Sequence, residues 1–166
     1  MDYGMALALT GAGLAVFLPG IGSSLGINIA SKSATAILSE KPERYGQFFV
    51  MVVLPGTQGF YGFLAAFMVM LNLRFFEGGI PENMDVVSGL KILVACLPVA
   101  IAGLVTAIYQ GKVSSSGILM AGKKPELAFK AGVVYAVMVE VYAILGLLTT
   151  LFMLLFGINW DKLFTK

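Results

Sequence analysis

The chain has 166 residues, of which 58% are hydrophobic and only 12% are charged, and its formal net charge is +2. A soluble domain carries about a quarter charged residues, so this composition excludes an ordinary soluble protein and indicates an integral membrane protein. The sequence has no histidine and one cysteine, which excludes an internal disulfide and a Cys/His metal cluster, and we expect neither a nucleic-acid partner nor soluble-enzyme chemistry.

Four stretches of the sequence are long and apolar enough to cross a bilayer. Residues 3–31, 45–73 and 92–111 contain no charged residue, and residues 131–160 contain only Glu140. Each stretch reaches the roughly 20 apolar residues that span a membrane core. The sequence therefore predicts an all-α membrane protein with four transmembrane helices in contact with lipid.

An internal duplication relates the first two spans to the last two. The segments SEKPERYG (39–46) and GKKPELAF (122–129) share a Lys-Pro-Glu triplet, and the shift that superposes the triplets places Lys41 on Lys124. This shift, the duplication offset, pairs three further residues with identical ones: Gly20 with Gly103, Ser31 with Ser114 and Ser33 with Ser116. The chain is therefore predicted to be two tandem hairpins that run parallel to each other. Because the KPE turns are tight, we expect helices at 5–39, 44–73, 88–121 and 127–158.

Small residues recur every four positions on the first helix of each hairpin. The two rows are Gly22, Gly26 and Ala30, and Gly103, Ala107 and Gly111. Such rows let helix backbones approach closely in lipid. One row is explained by ordinary helix pairing, whereas two equivalent rows fit better with many hairpins packed side by side into a tight inner ring.

The second span carries polar residues within the segment LPGTQGFYG. Thr57 and Tyr61 are four residues apart and share one face of the helix, and Gln58 lies one step round from Thr57. Pro55 has no N–H, so the helix loosens there and frees a carbonyl oxygen. Taken alone, a Thr/Gln pair in a span is more often interhelical hydrogen bonding than a ligand set.

A linker at 75–87 joins the hairpins and contains the helix breakers Gly78, Gly79 and Pro81. We therefore divide the chain into a first hairpin at 1–74, this linker, and a second hairpin at 88–166 that carries the membrane glutamate.

The basic residues predict how the spans are oriented. The segments that contain the KPE turns hold seven of the eleven: Lys32, Lys41, Arg44, Lys112, Lys123, Lys124 and Lys130. The termini and the connection between the second and third spans hold the other four: Arg74, Lys91, Lys162 and Lys166. Because cytoplasmic loops are enriched in Lys and Arg, we expect a multi-pass cell-membrane protein with the KPE turns in the cytoplasm. Both termini and the 75–87 linker are then outside.

Glu140 is the one charged residue of the fourth span. An ionisable group at mid-span costs at least about 2.5 kcal/mol and marks a functional site by default. A structural alternative is a hydrogen bond that locks two helices, or an ion pair with Lys112. Lys112 is two residues from Gln110 and about 200° round the helix, so if Gln110 faces Glu140, Lys112 points away.

Three polar positions lie at similar distances from the hairpin turns, which are centred on Lys41 and Lys124. The stretches 110–124, 124–140 and 41–57 are nearly equal in length, and they separate Gln110, Glu140 and Thr57 from the turn centres. At about 1.5 Å per residue, all three lie roughly 21–24 Å from the hairpin tips. Under the duplication offset, Thr57 takes in the first copy the place of Glu140 in the second.

These polar side chains could form an oxygen cage around a cation. One carboxylate, two amide oxygens, a hydroxyl and a carbonyl suit a small hard cation, whereas a proton needs only the carboxylate. The O–H of Tyr61 is placed to donate to Glu140 and hold it.

The motifs and their order resemble the rotor-ring proteolipid, the K or c subunit, of rotary V-type ATPases. The matching segments are LPGTQGFYG, AIYQGKV, the paired KPE turns and MVEVYAILG, and the resemblance covers about residues 10–156. The polar set is similar to that of the sodium-translocating bacterial members. By motif position it implies ion ligands at the Leu54 carbonyl, Thr57, Gln58, Gln110 and Glu140, with Tyr61 locking the carboxylate. The proline at 55 by itself points to the Met51 carbonyl, and we follow the family in expecting that of Leu54.

The resemblance also implies the setting of the chain. It predicts a homo-oligomeric ring of identical copies that is not an enzyme by itself and is rotated by ATP hydrolysis in a soluble head. The ring would slide past a stator membrane subunit with a basic residue and dock central-stalk subunits at the KPE turns. We expect Na+ as the bound, transported ion, with H+ as the alternative. A remote alternative is a small proton-coupled multidrug exporter, which also has four spans and a membrane glutamate.

Overall fold

The computed structural model describes residues 3–78, 81 and 84–164, and the chain forms four long helical spans, as predicted. The spans are Tyr3–Leu38, Pro42–Asn72, Val86–Lys123 and Pro125–Phe156, and each is apolar enough to cross a membrane. Every end lies within two residues of the predicted one. We label the α-helices α1 (Tyr3–Leu38), α2 (Tyr45–Val53), α3 (Thr57–Asn72), α4 (Val86–Lys123) and α5 (Val134–Phe156).

The two KPE turns have the same backbone geometry, as expected of duplicated segments. Pro42 and Pro125 each begin a three-residue 3-10 helix, a position where the missing N–H costs nothing. The lysines before them are pushed out of the helical region, with φ/ψ of −135°/67° at Lys41 and −133°/86° at Lys124. Each hairpin therefore closes within a few residues.

The first turn also caps the end of α4. Arg44 Nη1 donates to the Ala121 carbonyl at 2.7 Å, and Gln47 Nε2 donates to the Pro125 carbonyl at 3.1 Å. The last carbonyls of a helix have no partner within it, and a cation suits the negative end of the helix dipole. These bonds hold both hairpin tips at one level.

The small-residue rows of α1 and α4 face each other inside one chain. We expected these rows to pack hairpins side by side, and they do so between the two hairpins of this chain. A Cβ added at Gly26 would overlap the Ala107 carbonyl, and one added at Gly111 would lie 2.5 Å from Gly26 Cα. The rows therefore join the two hairpins of a single polypeptide, and the second and fourth spans pack outside this pair.

Two of the spans are not regular α-helices throughout. The second span tightens into a 3-10 turn at Leu54–Gly56, where Pro55 cannot donate to the helix. The fourth span starts with a π-helix at Ala128–Val133, which we did not predict.

Two residues at the junction of the first hairpin and the linker have a left-handed backbone: Arg74 (φ 51°), directly before the linker, and Gly78 (φ 69°), within it. Asp85 is the N-cap of α4, and its side chain accepts from the Ser88 N–H. The predicted breaker at 79 lies outside the described residues, as do the chain ends at 1–2 and 165–166. The assigned boundaries of hairpins and linker stay a prediction.

Candidate ion-binding site

The polar side chains singled out in the sequence come together halfway along the bundle. Thr57, Gln58 and Tyr61 lie in the first turns of α3, directly after the 3-10 turn that Pro55 imposes. Gln110 reaches the same place from α4, and Glu140 from α5. The distances from the hairpin tips therefore gave the right level for Thr57, Gln110 and Glu140.

Glu140 is buried, with 7% of its surface exposed, and its carboxylate accepts four hydrogen bonds. One oxygen, Oε1, accepts from the Tyr61 hydroxyl at 2.5 Å and the Thr57 hydroxyl at 2.6 Å. The other, Oε2, accepts from Gln110 Nε2 at 2.6 Å and Gln58 Nε2 at 3.4 Å. All four donors are neutral, so they orient the carboxylate without cancelling its charge.

The two glutamines are fully buried and bonded to each other. Gln58 Nε2 donates to Gln110 Oε1 at 2.7 Å, and Gln110 Nε2 also donates to the Ala136 carbonyl at 3.0 Å. Ala136 lies one turn before Glu140 in the fourth span. The amide of Gln110 is therefore held from both sides, as expected of a polar group in an apolar bundle.

Oxygen atoms crowd around the Thr57 hydroxyl. Its Oγ1 lies 2.6 Å from Glu140 Oε1, 2.9 Å from the Leu54 carbonyl and 3.4 Å from Gln58 Oε1. A hydroxyl has one proton and can fill only one of these contacts. With Glu140 ionised, two of the contacts have no proton between the oxygens. Such a cluster of oxygens is what a small hard cation stabilises.

Lys112 does not take part in the site. Its side chain is exposed, and its Nζ lies 4.8 Å from the centre of the Tyr109 ring. The ion pair with Glu140, which the sequence left open, is not formed.

Ser23 is a supporting residue that we did not predict from the sequence. It lies on α1, is 7% exposed, and its Oγ accepts from the Gly59 backbone N–H at 3.0 Å. This bond ties the start of α3, which carries three of the polar side chains, to the inner helix. A signal was present, since the stretches 23–41 and 41–59 are equal in length and place Ser23 level with Gly59.

The first copy of the duplication has no second site of this kind. The duplication offset relates Thr57 to Glu140, so the counterpart positions can be read directly. Those of Gln110, Gln58 and Tyr61 are Ile27, Val141 and Ile144. None of these side chains offers an oxygen atom, so each chain has one acid and one ligand set.

Comparison with known proteins identifies the duplicated unit. Residues 10–69 and 93–153 each match the family of the ATP synthase C subunit, and the duplication offset superposes the starts of the two matches. The chain is 42% identical over 161 residues to the V-type sodium ATPase subunit K of Enterococcus hirae, and the alignment covers 93% of this chain and 98% of that protein.

Two other relatives extend the comparison. The A-type ATP synthase subunit K of Methanocaldococcus jannaschii is 34% identical over 150 residues, which are 90% of this chain and 62% of that protein. The ATP synthase c subunit of Syntrophomonas wolfei is 39% identical over 70 residues, which are 40% of this chain and 96% of that protein. The Syntrophomonas protein thus has about the length of one hairpin.

The matched segments cover most of both hairpins, and the structure supplies the four spans that such a subunit needs. The chain therefore belongs to the ATP synthase C subunit family, as a multi-pass, non-catalytic rotor-ring proteolipid of a V/A-type ATPase with two tandem copies of the family unit.

Proposed function

We propose that each copy of this chain binds one Na+ at Glu140 and carries it across the membrane as the ring turns. The observation that carries this proposal is the cluster of oxygens around the Thr57 hydroxyl. A proton on Glu140 would place a hydrogen between the oxygens of one more of those contacts and would leave another contact without one. A cation would contact all of the oxygens at once. The similarity to the V-type sodium ATPase subunit K of Enterococcus hirae supports the same ion.

The proposed ligands are the carbonyl of Leu54 and the side chains of Thr57, Gln58, Gln110 and Glu140. Gln110 Oε1 now accepts from Gln58 Nε2, so binding an ion there requires the Gln58 amide to turn away. Tyr61 contacts only the carboxylate and holds it in place. These roles are assigned on geometry and on the chemistry of the donors.

The transport step follows from the cost of charge in lipid. A bare carboxylate on α5 could not pass through the acyl chains at acceptable cost. Once the ion is bound, the site is electrically neutral and the subunit can turn through the bilayer. A basic residue on the stator would then favour the bare carboxylate and release the ion. Moving one charge against 100 mV requires about 2.3 kcal/mol, which ATP hydrolysis in the soluble head supplies.

The orientation and the docking of the ring complete the proposal. The KPE turns would face the cytoplasm, because the segments that contain them hold seven of the eleven basic residues. They would meet the central stalk at tips that the bonds of Arg44 and Gln47 hold level. Both termini and the linker would lie outside. Membership of the family and the parallel duplication favour this arrangement over the small exporter.

Carbodiimide labelling of Glu140 distinguishes Na+ from H+. A carbodiimide reacts with the protonated carboxyl, so a bound cation protects it. We expect Na+ at neutral pH to slow labelling of the isolated ring in a saturable manner, with K+ at the same concentration as the control. Labelling that responds to pH but not to Na+ would establish the proton alternative.

Replacing Gln110 with leucine tests its role as a ligand. Gln110→Leu removes the side-chain oxygen that would contact the cation, and a polar contact to a charged group contributes about 1.5–3 kcal/mol. The Na+ concentration that gives half-protection should therefore rise roughly 10–100-fold. Gln47→Leu, which removes an amide at the hairpin tips, is the control. An unchanged half-protection concentration in Gln110→Leu would remove this residue from the ligand set.

Replacing Ser23 with alanine tests whether α1 positions the site. In Ser23→Ala the part-buried Gly59 N–H loses this acceptor, a loss of about 1 kcal/mol, so we expect half-protection to need about five times more Na+. Ser39→Ala removes an exposed hydroxyl that bonds only to the Ala36 carbonyl and should change nothing. If Ser23→Ala lowers the thermal stability of the ring without changing Na+ protection, Ser23 is structural only.

A further inference from the structure

Glycines hold α1 and α4 together within one chain. Four of them lie on the α1 side of this seam: Gly4, Gly11, Gly22 and Gly26. A Cβ added at Gly11 would lie 2.6 Å from Leu93 Cα, and one added at Gly22 would lie 2.6 Å from the Leu104 carbonyl oxygen. Real side chains do not approach this closely, so the helices touch backbone to backbone.

The duplication puts larger residues at the same positions of α4. Under the duplication offset, the four glycines correspond to Val87, Val94, Val105 and Tyr109. These side chains are exposed by 61%, 43%, 44% and 56% in the single chain. Val94 and Val105 line an open apolar groove of about 610 Å³ together with Pro98 and Ala102. This face of α4 repeats the α1 side of the seam, but nothing within the described part of the chain covers it.

The exposed face of α1 repeats the other side of the seam. Gly13 and Gly20 lie on this face, and a Cβ added at either would meet nothing within 4 Å. Glycine weakens a helix interior relative to alanine, so the single chain gains nothing from these two. Under the duplication offset, Gly20 corresponds to Gly103, where a Cβ would lie 2.7 Å from Pro19 Cβ. Gly20 therefore leaves room for a helix from outside this chain to approach closely.

We propose that the next copy of this chain in the ring seats its α1 in the groove of α4, with a wider seam than the one inside each copy. The packing repeats that of α1 and α4, but Val94, Val105 and Tyr109 stand where glycines let the backbones touch. The inner helices of the ring are therefore spaced in pairs, narrow within a copy and wide between copies. This inference depends on ring assembly and not on which ion is carried.

The wide seam brings a polar pair close to the candidate site. Tyr109 corresponds to Gly26, and Asn28 corresponds to Gly111, whose added Cβ would lie 2.5 Å from Gly26 Cα. The same packing places Asn28 of the next copy beside Tyr109. An amide in an apolar seam needs a hydrogen-bond partner, and the Tyr109 hydroxyl supplies one. Because Tyr109 directly precedes Gln110 on α4, this contact would lie at the level of the site.

Cysteine crosslinking in the assembled ring tests whether α1 of the next copy packs in the groove of α4. In a Cys96→Ala background, the pair Gly20→Cys and Ala102→Cys repeats the intrachain contact of Gly103 with Pro19. Oxidation should give a denaturing-gel ladder at multiples of 17.6 kDa. The control pair, Leu25→Cys with Ala102→Cys, moves one thiol about 140° round α1 and should leave monomer. Monomer from the first pair, or equal ladders from both, would overturn the proposed seat.

A density map of the unmodified ring measures the spacing directly. The distance between the axes of α1 and α4 should be shorter within a copy than between copies, and equal distances would overturn the paired spacing. Neither measurement involves Na+. A failed sodium-protection experiment would therefore leave this inference standing, and a failed crosslink would leave the ion assignment standing.

Discussion

Glu140→Gln should abolish ion transport by the assembled ATPase. The amide has nearly the same size as the carboxylate, so packing is kept, but the site loses the negative charge that attracts the cation. ATP-driven uptake of radioactive Na+ into vesicles that contain the whole complex should fall to the level of vesicles without it. Carbodiimide should no longer label the subunit in the membrane.

The matched control for this change is Glu77→Gln, because Glu77 is an exposed carboxylate in the linker. This variant should transport and label like the unmodified chain. Glu140→Asp keeps the charge on a shorter side chain, which draws the carboxylate away from Tyr61 and Gln110, so we expect transport that is reduced but measurable. Substantial Na+ uptake by Glu140→Gln would show that the transported charge is bound elsewhere.

Gly26→Leu should prevent the subunit from folding in the membrane. A Cβ at this position would overlap the Ala107 carbonyl and lie 2.7 Å from Pro55 Cβ. Overpacking of an interior commonly costs about 1–3 kcal/mol and sometimes more, and here the obstacle is backbone, which cannot rotate away. Immunoblots of the membrane fraction should show little subunit and no assembled ring, with Gly26→Ala between this variant and the unmodified chain.

Gly46→Leu is the control for steric bulk, since an added Cβ at Gly46 meets nothing within 4 Å. It should accumulate normally. If Gly26→Leu accumulates and assembles as well as Gly46→Leu, the α1–α4 seam is looser than the contacts at Gly26 and Gly111 imply.

Distance along the chain predicted most of the site. A tight turn makes the two helices of a hairpin start together, so residues equally far from Lys41 or Lys124 meet at one level. This reasoning predicted that Gln110, Glu140 and Thr57 lie at one level. The hydrogen bonds that the Glu140 carboxylate accepts from Gln110 and Thr57 agree with that prediction. Applied to every polar residue of the first hairpin, it would also have found Ser23 opposite Gly59.

Rotation about the helix axes could not be predicted in the same way. The rows of small residues that contain Gly22 and Gly103 were visible in the sequence, but such a row does not indicate which helix it packs against. The structure shows that they face each other within one chain. The cap that Arg44 places on α4 was hidden for a similar reason, because it joins the turns of two different hairpins, whose separation in space depends on how the hairpins pack.

Because the first copy of the duplication has apolar residues in place of a second site, it limits how many ions the ring would carry per revolution. Each copy occupies the arc of two hairpins but offers one acid, because Ile27, Val141 and Ile144 stand where a second ligand set would be. A ring with a given number of helices therefore moves half as many charges per revolution as one with an acid in every hairpin. Under the proposed function, a head that hydrolyses a fixed number of ATP molecules per revolution would then give each ion twice the driving free energy. Such a ring would carry few ions per revolution and would be suited to pumping against a steep gradient.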